Sequence, residues 1–429
     1  MTQNSDKEPN LALLVCPQTG KPLTLKDGEL YTEQTSYPLF NGVPWLFKNP
    51  EFAFFEWATK IKAHINETQR HLAYLQLLAN NTPSVHARQR YEQLFEAQSF
   101  NLQYETQCLS FFLGQNDIHL QPSTQQVQSY FKNIFRDWCW GAKENAIYMD
   151  YIKKTAPKAP DNILVLGAGA GKLSQLIAQH YSSSRVYSID HNPFLVLTAQ
   201  RILNGGCVEL FDYAHYPNRL DNTNKKVVIQ NQPTLSNHQC VLTGFPDLPF
   251  PEDSFDLIVA PWFYDILEQD IQESIGRTLK FLTQKGSLIH IGPSNVHHPD
   301  VDKQYCLEEV VEMYQQFFAE TEVRSQQMAY LNNPIESQAR LETVMFLHAN
   351  HKTQSYAGNK QSIETRVTLT PALASLKEEQ ALKAQILNLI DKDLTSLELA
   401  ERMANAFNMD ATQAAFYAES FIKKLKLEM

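Results

Sequence analysis

The most constraining feature of this 429-residue sequence is a glycine-rich turn, Gly167-Ala168-Gly169-Ala170-Gly171. It directly follows the apolar segment 163–166, which has the length and composition of a buried strand, and it leads into 172–181, which has the periodicity of a helix. Glycines allow positive φ and let a ligand approach the backbone, and the N-terminus of a helix attracts polar and anionic groups. A strand, a turn and a helix in this order predict a site for a nucleotide-like ligand.

Further apolar segments of strand length alternate with helical segments between residues 127 and 350. The predicted strands are 162–166, 185–190, 255–261 and 287–291. Between the last two, apolar residues recur every fourth position, as on one face of a helix: Leu267, Ile271, Ile275 and Leu279. This alternation is typical of a parallel sheet covered by helices on both faces. Asp190 closes the strand that follows the turn, where a carboxylate can accept hydrogen bonds from a ribose diol.

The spacing of the glycines separates two possible cofactors. The dinucleotide fingerprint G-x-G-x-x-G/A needs a small sixth residue, but Lys172 occupies that position and the third glycine comes one residue earlier. The G-x-G-x-G spacing resembles the turn of class I methyltransferases that depend on S-adenosylmethionine (SAM), and 247–250 and 253–259 are similar to the stretch that leads into their fourth strand. The resemblance implies an α/β fold with a seven-stranded Rossmann-like sheet and SAM as the methyl donor. It places SAM on Gly167, Gly169, Gly171 and Asp190.

One position departs from the pattern of these methyltransferases. In that family an acidic residue four positions before the Leu often contacts the adenine amino group, but Gly244 occupies this position here. We therefore expect the adenine contact to come from elsewhere, with backbone groups around Phe245 as the candidates.

A closer resemblance covers residues 130–300, where five short motifs occur in the order found in the carnosine N-methyltransferase family. They are Phe135-Arg136-Asp137-Trp138, then Ile202-Leu203-Asn204, then Tyr216-Pro217 with Gln230-Asn231-Gln232-Pro233, then Trp262-Phe263-Tyr264-Asp265, and finally Ile291-Gly292-Pro293 with His297. The resemblance implies N-methylation of a small metabolite or peptide, with an imidazole nitrogen as the first candidate. The chain departs from the family at Trp262, at Glu268 and at 243–245, so the substrate itself is not carried over.

The resemblance also implies roles for single residues. Asp265 and His297 would be catalytic, at the carboxyl ends of neighbouring strands, where ligands bind in open α/β sheets. Asp265 would hold one imidazole N–H so that the other nitrogen attacks, and His297 would orient the acceptor or take its proton. Arg136 would pair with the SAM carboxylate, or would form a structural ion pair with Asp137. The aromatic residues 262–264 would line the methyl channel, or would pack in the core.

Residues 1–50 resemble the small zinc-ribbon protein that activates several methyltransferases. The similar segments are Leu13-Leu14-Val15-Cys16-Pro17, Gly20-Lys21-Pro22-Leu23, Tyr37-Pro38-Leu39 and Asn41-Gly42-Val43-Pro44, the last with the dipeptide of a tight hairpin turn. A zinc ribbon needs four ligands, usually paired two residues apart, but Thr19 follows Cys16 where the second cysteine belongs. We expect a degenerate, metal-free module that docks a partner or shapes the substrate site. The alternative is a lone hairpin that packs on the helical region.

The other regions are predicted from periodicity and composition. Residues 51–126 are expected to be helical with a break at 81–84, 127–350 to form the methyltransferase domain, and 351–376 to be a linker. Residues 377–429 are helical and similar to small winged-helix modules, a pattern that also fits a three-helix bundle. Such a module, like the N-terminal one, would contact a peptide or protein partner.

Charge and cysteine usage narrow the function further. The net charge of −10 disfavours nucleic-acid binding, no apolar run reaches the length of a membrane span, and six scattered cysteines without a C-x-x-C pair favour a reduced, cytoplasmic protein. Three alternatives stay open at this point. They are a methyltransferase acting on protein or RNA, a non-catalytic scaffold that kept the SAM fold, and a dehydrogenase that binds NAD.

Overall fold

The computed structural model describes residues 11–33, 35–114, 127, 131–267, 269–293, 303–353 and 366–367. In the C-terminal segment it describes 386, 389–390, 394–407, 410–411, 414–415, 417–419 and 421–422. The chain divides into two compact units: Met1–Lys48, Ile65–Phe111 and Val127–Gly358 form the first, and Asn49–His64, Phe112–Gln126 and Asn359–Met429 form the second. In the described residues, no helix is long and apolar enough to cross a membrane.

The elements follow one another in a mixed α/β order. The strands are β1 (Thr24–Lys26), β2 (Glu29–Tyr31), β3 (Ser36–Phe40), β4 (Val43–Pro44), β5 (Asn162–Leu166), β6 (Arg185–Asp190), β7 (Val208–Tyr213), β8 (Asn224–Ile229), β9 (His238–Leu242), β10 (Phe255–Pro261), β11 (Leu282–Pro293), β12 (Phe318–Tyr330), β13 (Arg340–Lys352), β14 (Arg366–Val367) and β15 (Leu394–Thr395). The helices are α1 (Pro50–Asn81), α2 (Val85–Cys108), α3 (Lys132–Phe135), α4 (Ala142–Thr155), α5 (Lys172–His180), α6 (Pro193–Leu203), α7 (Ile271–Thr278), α8 (Leu307–Phe317) and α9 (Ser396–Phe407).

Seven of these strands form the central sheet, in the order β12-β13-β11-β10-β5-β6-β9. The strands β9, β6, β5, β10 and β11 are parallel, and β13 runs antiparallel between β11 and β12. Within this sheet, the first strand in the sequence is β5, near the middle. The strands β6 and β9 follow on one side of it, and β10 and β11 on the other. This topology confirms the predicted seven-stranded Rossmann-like sheet.

Both faces of the sheet are buried, which explains why the strands are continuous apolar runs instead of alternating patterns. On β5, Leu164 and Leu166 contribute to the core on one face, while Ile163 and Val165 contribute to the core on the other. The first core is covered by apolar residues of α7 and α8, and the second by those of α4 and α5. The carboxyl ends of β5, β6 and β10 therefore meet at one edge, which is where the glycine turn begins.

The N-terminal module is a small four-stranded sheet, β1-β2-β3-β4, that packs in the same core as the central sheet. Its β3–β4 turn has positive φ at Asn41 (51°) and Gly42 (77°), as predicted for this dipeptide. Directly after β4, Trp45 pairs in parallel with Leu242 of β9, and the Leu46 N–H donates to the Leu242 carbonyl at 2.7 Å. The module thus continues the central sheet beyond β9 through backbone pairing.

A buried hydroxyl completes this junction and provides a test of it. Thr243 Oγ1 donates to the Leu46 carbonyl at 2.7 Å. We expect Thr243→Val to lower the free energy of unfolding by about 1–2 kcal/mol, because it removes a buried hydrogen bond and leaves the carbonyl without that donor. Urea denaturation measures the change. The control is Thr24→Val, whose exposed hydroxyl makes only a 3.4 Å contact, and a loss as large in the control would contradict the assignment.

The helical region begins with two helices, and the break predicted between them is confirmed. The helix α2 is capped by Ser84, whose hydroxyl accepts the Ala87 N–H at 3.2 Å. Asn101 of α2 then bonds both backbone groups of Phe211 in β7, with its amide nitrogen and oxygen each 2.8 Å from the backbone. The strands β7 and β8 form an antiparallel hairpin between α6 and β9 that the sequence analysis did not predict.

The second unit has a small apolar core of its own. Its buried residues are Ile386, Ile390, Leu394, Leu399, Ala400, Met403, Ala414, Ala418 and Ile422. The helix α9 supplies three residues of this core, which agrees with the helical pattern predicted for this part of the sequence. The short strand β14 pairs with β15 although it lies within 351–376, the segment that the sequence analysis assigned to a linker.

Candidate functional site

The glycine turn has the backbone that only glycine adopts without strain. The φ angles are 60° at Gly167, 55° at Gly169 and 86° at Gly171. A Cβ atom on Gly167 would lie 2.8 Å from Phe263 Cδ2, and one on Gly171 would lie 3.0 Å from the Ala199 methyl carbon. Apart from its two chain neighbours, no described residue has an atom within 4 Å of a Cβ atom on Gly169. Two of the glycines therefore serve packing, and the middle one faces open space where a ligand can approach the backbone.

Asp190 lies at the carboxyl end of β6 and braces this turn. Its Oδ2 accepts the Gly169 N–H at 2.9 Å, and its Oδ1 accepts the Asn192 N–H, also at 2.9 Å. Each carboxylate oxygen has a further lone pair, so these bonds leave capacity for a ligand hydroxyl. The carboxylate thus holds both the turn and the start of α6, and it remains available for the ribose contact that the sequence predicts.

Trp138 holds the turn from the opposite side, a role that the sequence analysis did not assign. It belongs to a π-helical turn, Arg136–Trp140, and its indole Nε1 donates to the Ala170 carbonyl at 2.8 Å. Lys172 Nζ lies 4.6 Å from the centre of the indole ring, and burial lowers the pKa of this lysine. The motif Arg136-Asp137-Trp138 thus lies next to the glycine turn, and its third residue, Trp138, makes the hydrogen bond to the turn.

Arg136 makes the ion pair that the sequence analysis gave as the alternative role. Its Nε and Nη2 lie 2.9 and 2.8 Å from Asp137 Oδ1, and its Nη1 donates to Tyr330 Oη at 3.4 Å. Burial lowers the pKa of the guanidinium, but Asp137, Tyr330 and Glu144 outweigh this effect and raise it overall. An always-charged guanidinium has five N–H donors, so the ion pair leaves donors for a carboxylate. Its contact with the SAM carboxylate stays a prediction.

A cavity beside the turn is lined by residues of the turn, by the Arg136–Asp137 ion pair and by Trp262. The lining residues are Arg136, Asp137, Asn145, Tyr148, Val165, Gly167, Ala168, Leu173, Pro261 and Trp262. Trp262 has a φ of 51°, which is rare for a bulky residue and indicates local strain. Its ring stacks on Tyr330 at 3.7 Å between centroids, and its Nε1 donates to Tyr148 Oη at 2.9 Å. These contacts hold the indole on the wall of the cavity.

The other two members of the aromatic triplet have packing roles. Phe263 is buried against Gly167 and makes an edge-on contact with Phe245, 5.3 Å between ring centroids. Tyr264 is fully buried, and its hydroxyl donates to Thr278 Oγ1 at 3.0 Å. Tyr264 therefore has the alternative role that the sequence analysis gave, packing in the core, because its ring lies in the core that also contains apolar residues of α7.

Gly244, the position where related methyltransferases often have an acidic residue that contacts adenine, lies against the N-terminal module. A Cβ atom on Gly244 would lie 3.5 Å from Phe47 Cδ1, so the Phe47 ring covers this position. Phe245 packs on Phe263, which in turn contacts Gly167, so the segment after β9 is in contact with the residues around the turn. The location of Phe245 is thus compatible with the predicted cofactor contact, which stays a prediction.

The residue predicted for the acceptor side, Asp265, lies in a short helical turn, Tyr264–Ile266, after the carboxyl end of β10. Its Oδ1 is buried and lies 3.8 Å from the position of a Cβ on Gly292. His290 of β11 faces the same point, with Nε2 at 3.4 Å from it. His290 was not among the residues predicted from the sequence, and no local pattern distinguishes it. His297 and Glu268 lie outside the described residues.

The comparisons with known proteins identify the family. The family model described as carnosine N-methyltransferase matches residues 115–352. The chain belongs to the carnosine N-methyltransferase family. No curated protein matches the chain.

Three solved structures that are similar to this family member contain methyltransferases from different organisms. The phosphoethanolamine N-methyltransferase 2 of Haemonchus contortus is 13% identical over 54% of this chain and 61% of its own length, with a TM-score of 0.36. The N-methyltransferase NodS of Bradyrhizobium japonicum is 17% identical over 52% of this chain and 97% of its own, also with a TM-score of 0.36. A third is the complex between the Haloferax volcanii Trm112 methyltransferase activator and the putative methyltransferase, 14% identical over 53% of this chain and 98% of that chain, with a TM-score of 0.36.

This member of the carnosine N-methyltransferase family is a SAM-dependent N-methyltransferase, with SAM as the methyl donor. The site fits that group on its own geometry, because Gly169 leaves open space beside the turn and the Asp190 carboxylate lies next to it. The residues that would hold SAM are those predicted from the sequence: Arg136, Gly167, Gly169, Gly171, Asp190 and Phe245.

Trp138 offers a specific test of the cofactor side. We expect Trp138→Phe to weaken binding of S-adenosylhomocysteine (SAH) about five- to tenfold, because the turn loses one hydrogen bond worth about 1 kcal/mol. Isothermal calorimetry measures the affinity. The matched control is Trp140→Phe, which removes the Nε1 bond to Asp212 at 3.1 Å on the same π-helical turn and leaves the glycine turn untouched. Equal losses in both variants would show that only the stability of the π-helical turn matters.

Proposed function

We propose that this methyltransferase transfers the methyl group of SAM to a nitrogen of a small metabolite or peptide, with an imidazole nitrogen as the first candidate. The observation that carries the proposal is Asp265, a half-buried residue with a buried Oδ1, located after the carboxyl end of β10, the strand adjacent to the one that leads into the glycine turn. Its position suits a group that binds the acceptor next to the methyl donor. The name of the family supports nitrogen as the atom that attacks the methyl group and receives it.

The chemistry asks little of the protein beyond binding and alignment. SAM supplies a methyl group on a sulfonium, and the transfer is an in-line displacement by a lone pair. A neutral imidazole has one N–H and one lone pair. If Asp265 accepts the N–H, the ring is oriented and the other nitrogen keeps its lone pair for attack. Trp262, held by Tyr330 and Tyr148, would exclude water from the cavity beside the turn.

His297 keeps the role that the resemblance implies, as an orienting group or proton acceptor for the methyl acceptor. Together with Asp265 it forms our proposed catalytic pair. We further propose the domain limits 1–50, 51–126, 127–350, 351–376 and 377–429. From the scattered cysteines we also propose a cytoplasmic location.

One observation favours a second candidate function, the methylation of a protein. The N-terminal module resembles a methyltransferase activator and pairs with β9 through the backbone of Trp45 and Leu46. A module fixed there would present its exposed surface next to the segment of Gly244 and Phe245, where a protein acceptor can dock. An RNA acceptor is disfavoured, because the chain carries a net charge of −10.

An unbiased methylation assay separates these candidates. Purified protein is incubated with labelled SAM and a cell extract that is then fractionated into small molecules, peptides, protein and RNA. We expect label in the small-molecule or peptide fraction, and labelling at least about 100-fold slower with the Asp265→Asn variant. Label in the protein fraction would establish the second candidate instead. No transfer to any fraction, with SAH binding intact, would favour the scaffold.

A further inference from the structure

A buried histidine outside the assigned residues faces the acceptor side of the site. His290 lies in β11 and is 1% exposed. Its Nδ1 lies 3.1 Å from Tyr314 Oη of α8, while its Nε2 is buried and has no hydrogen-bond partner among the described residues. A buried polar nitrogen without a partner is costly and requires an explanation.

The partner of Nδ1 determines which nitrogen of the ring carries the hydrogen. The Tyr314 hydroxyl is buried, and Nδ1 is the acceptor that the described residues offer it. A phenol O–H therefore donates to Nδ1, and the neutral ring carries its hydrogen on Nε2. Burial lowers the pKa of His290 to about 3, so the ring is neutral at physiological pH. The titratable groups around the ring are Tyr264, Tyr314 and Asp265, and burial raises the pKa of both phenols.

Gly292 leaves the space between this N–H donor and the carboxylate. A Cβ atom on Gly292 would lie 3.4 Å from His290 Nε2 and 3.8 Å from Asp265 Oδ1. Both atoms thus lie close to the same small space, which is open because residue 292 is a glycine and would be filled by the Cβ atom of any other residue. A donor and an anionic acceptor that face each other across such a space can be joined directly, after a small movement, or through one water.

We propose that His290 is a positioning residue for Asp265: Tyr314 and His290 form a chain that presents an Nε2–H donor to the Asp265 carboxylate across the space beside Gly292. A hydrogen bond to the charged form of a carboxylate stabilises that form and fixes its direction. The chain would keep Asp265 ionised and aimed at the methyl acceptor. This inference rests on the proposed role of Asp265 in the acceptor site.

Nitrogen NMR tests the proposal without any substrate. Long-range ¹H–¹⁵N spectra are recorded on SAH-bound protein labelled in its 13 histidines, with His290→Gln used to assign the signals. We expect hydrogen on Nε2, none on Nδ1, and no titration between about pH 5 and 8. Asp265→Asn is expected to shift the Nε2 signals, whereas the control Asp221→Asn, an exposed carboxylate, leaves them unchanged. Hydrogen on Nδ1, or an unchanged Nε2 signal in Asp265→Asn, would overturn the proposal.

The Gly292→Ala variant provides a second, independent NMR experiment, because this substitution removes no polar group. The added methyl carbon makes contacts of ordinary length, so the fold is expected to tolerate it, but it fills the space between the two side chains. We expect it to abolish the effect of Asp265→Asn on the His290 signals. If that effect persists at full size in the Gly292→Ala background, the coupling does not cross this space and the proposal is wrong.

An activity arm uses carnosine as the probe acceptor. His290→Leu removes the donor, and we expect kcat to fall about tenfold with the acid limb of the kcat–pH profile moved to higher pH, while SAH affinity is unchanged. His290→Gln retains an N–H donor and is expected to recover most of the activity. Identical kcat–pH profiles for the wild type and His290→Leu would contradict the proposal. If the wild type does not methylate carnosine, the proposed acceptor is wrong, and the NMR arms still decide the role of His290.

Discussion

We expect that calorimetry detects no binding of SAH to the Gly169→Val variant, although the protein without ligand remains folded. The reason is the position of the new side chain. Apart from the chain neighbours, a Cβ atom at this residue meets no atom of the described residues within 4 Å, so valine would project into the open space that the turn offers to the cofactor. The φ of 55° adds a backbone strain of about 1–2 kcal/mol, which a protein of ordinary stability survives.

The chain contains a matched control for the strain. Gly20, in the N-terminal module, has a φ of 67°, and in the described part of the chain no atom beyond its two neighbours lies within 4 Å of an added Cβ. Gly20→Val should therefore cost a similar free energy of unfolding without changing SAH affinity. Gly167→Ala should behave differently, because its Cβ would lie 2.8 Å from Phe263 and lower stability as well as binding. Normal SAH binding by Gly169→Val would place the cofactor elsewhere.

The three glycines show what the sequence can and cannot predict about a turn. Their spacing after an apolar strand is a local pattern, and it correctly predicted the strand, the turn and the helix that follows. Which glycine faces a ligand is not local information. It depends on Phe263 from β10 and Ala199 from α6, which pack against Gly167 and Gly171 only after the sheet has formed.

The same distinction applies to the strands. The sequence predicted β5, β6, β10 and the end of β11, because buried parallel strands are continuous apolar runs with little competing periodicity. It did not single out β12, in which most residues are exposed at the edge of the sheet, or the β7–β8 hairpin. Edge strands carry a weaker apolar signal, and their pairing is set by partners far away in the chain.

Residues that act through distant contacts were missed for the same reason. Trp138 contacts Ala170, 32 positions away, and His290 meets Tyr314 and the space next to Asp265. Neither contact follows from spacing within a motif. The pairing of Trp45 and Leu46 with β9 joins segments almost 200 residues apart, so the sequence predicted the module but not its place in the sheet.

Asp265→Asn is expected to leave SAH affinity within about twofold of the wild type and to lower kcat by about 100- to 1000-fold. The substitution keeps the shape of the side chain but removes the negative charge that would accept the N–H of the acceptor. SAH affinity is spared because the groups that hold the turn, Asp190 and Trp138, are not touched. Single-turnover transfer of labelled methyl to the acceptor found in the extract assay measures the chemical step, and calorimetry measures the affinity.

The pattern of loss decides what Asp265 does. A fall in kcat at unchanged SAH affinity places the carboxylate on the acceptor, whereas an equal fall in both would move it to the cofactor. Asp221→Asn, which neutralises an exposed carboxylate, controls for the change in net charge and is expected to match the wild type in both measurements. Full activity of Asp265→Asn would mean that the acceptor is oriented by other groups, and the first place to look would then be the segment that carries His297.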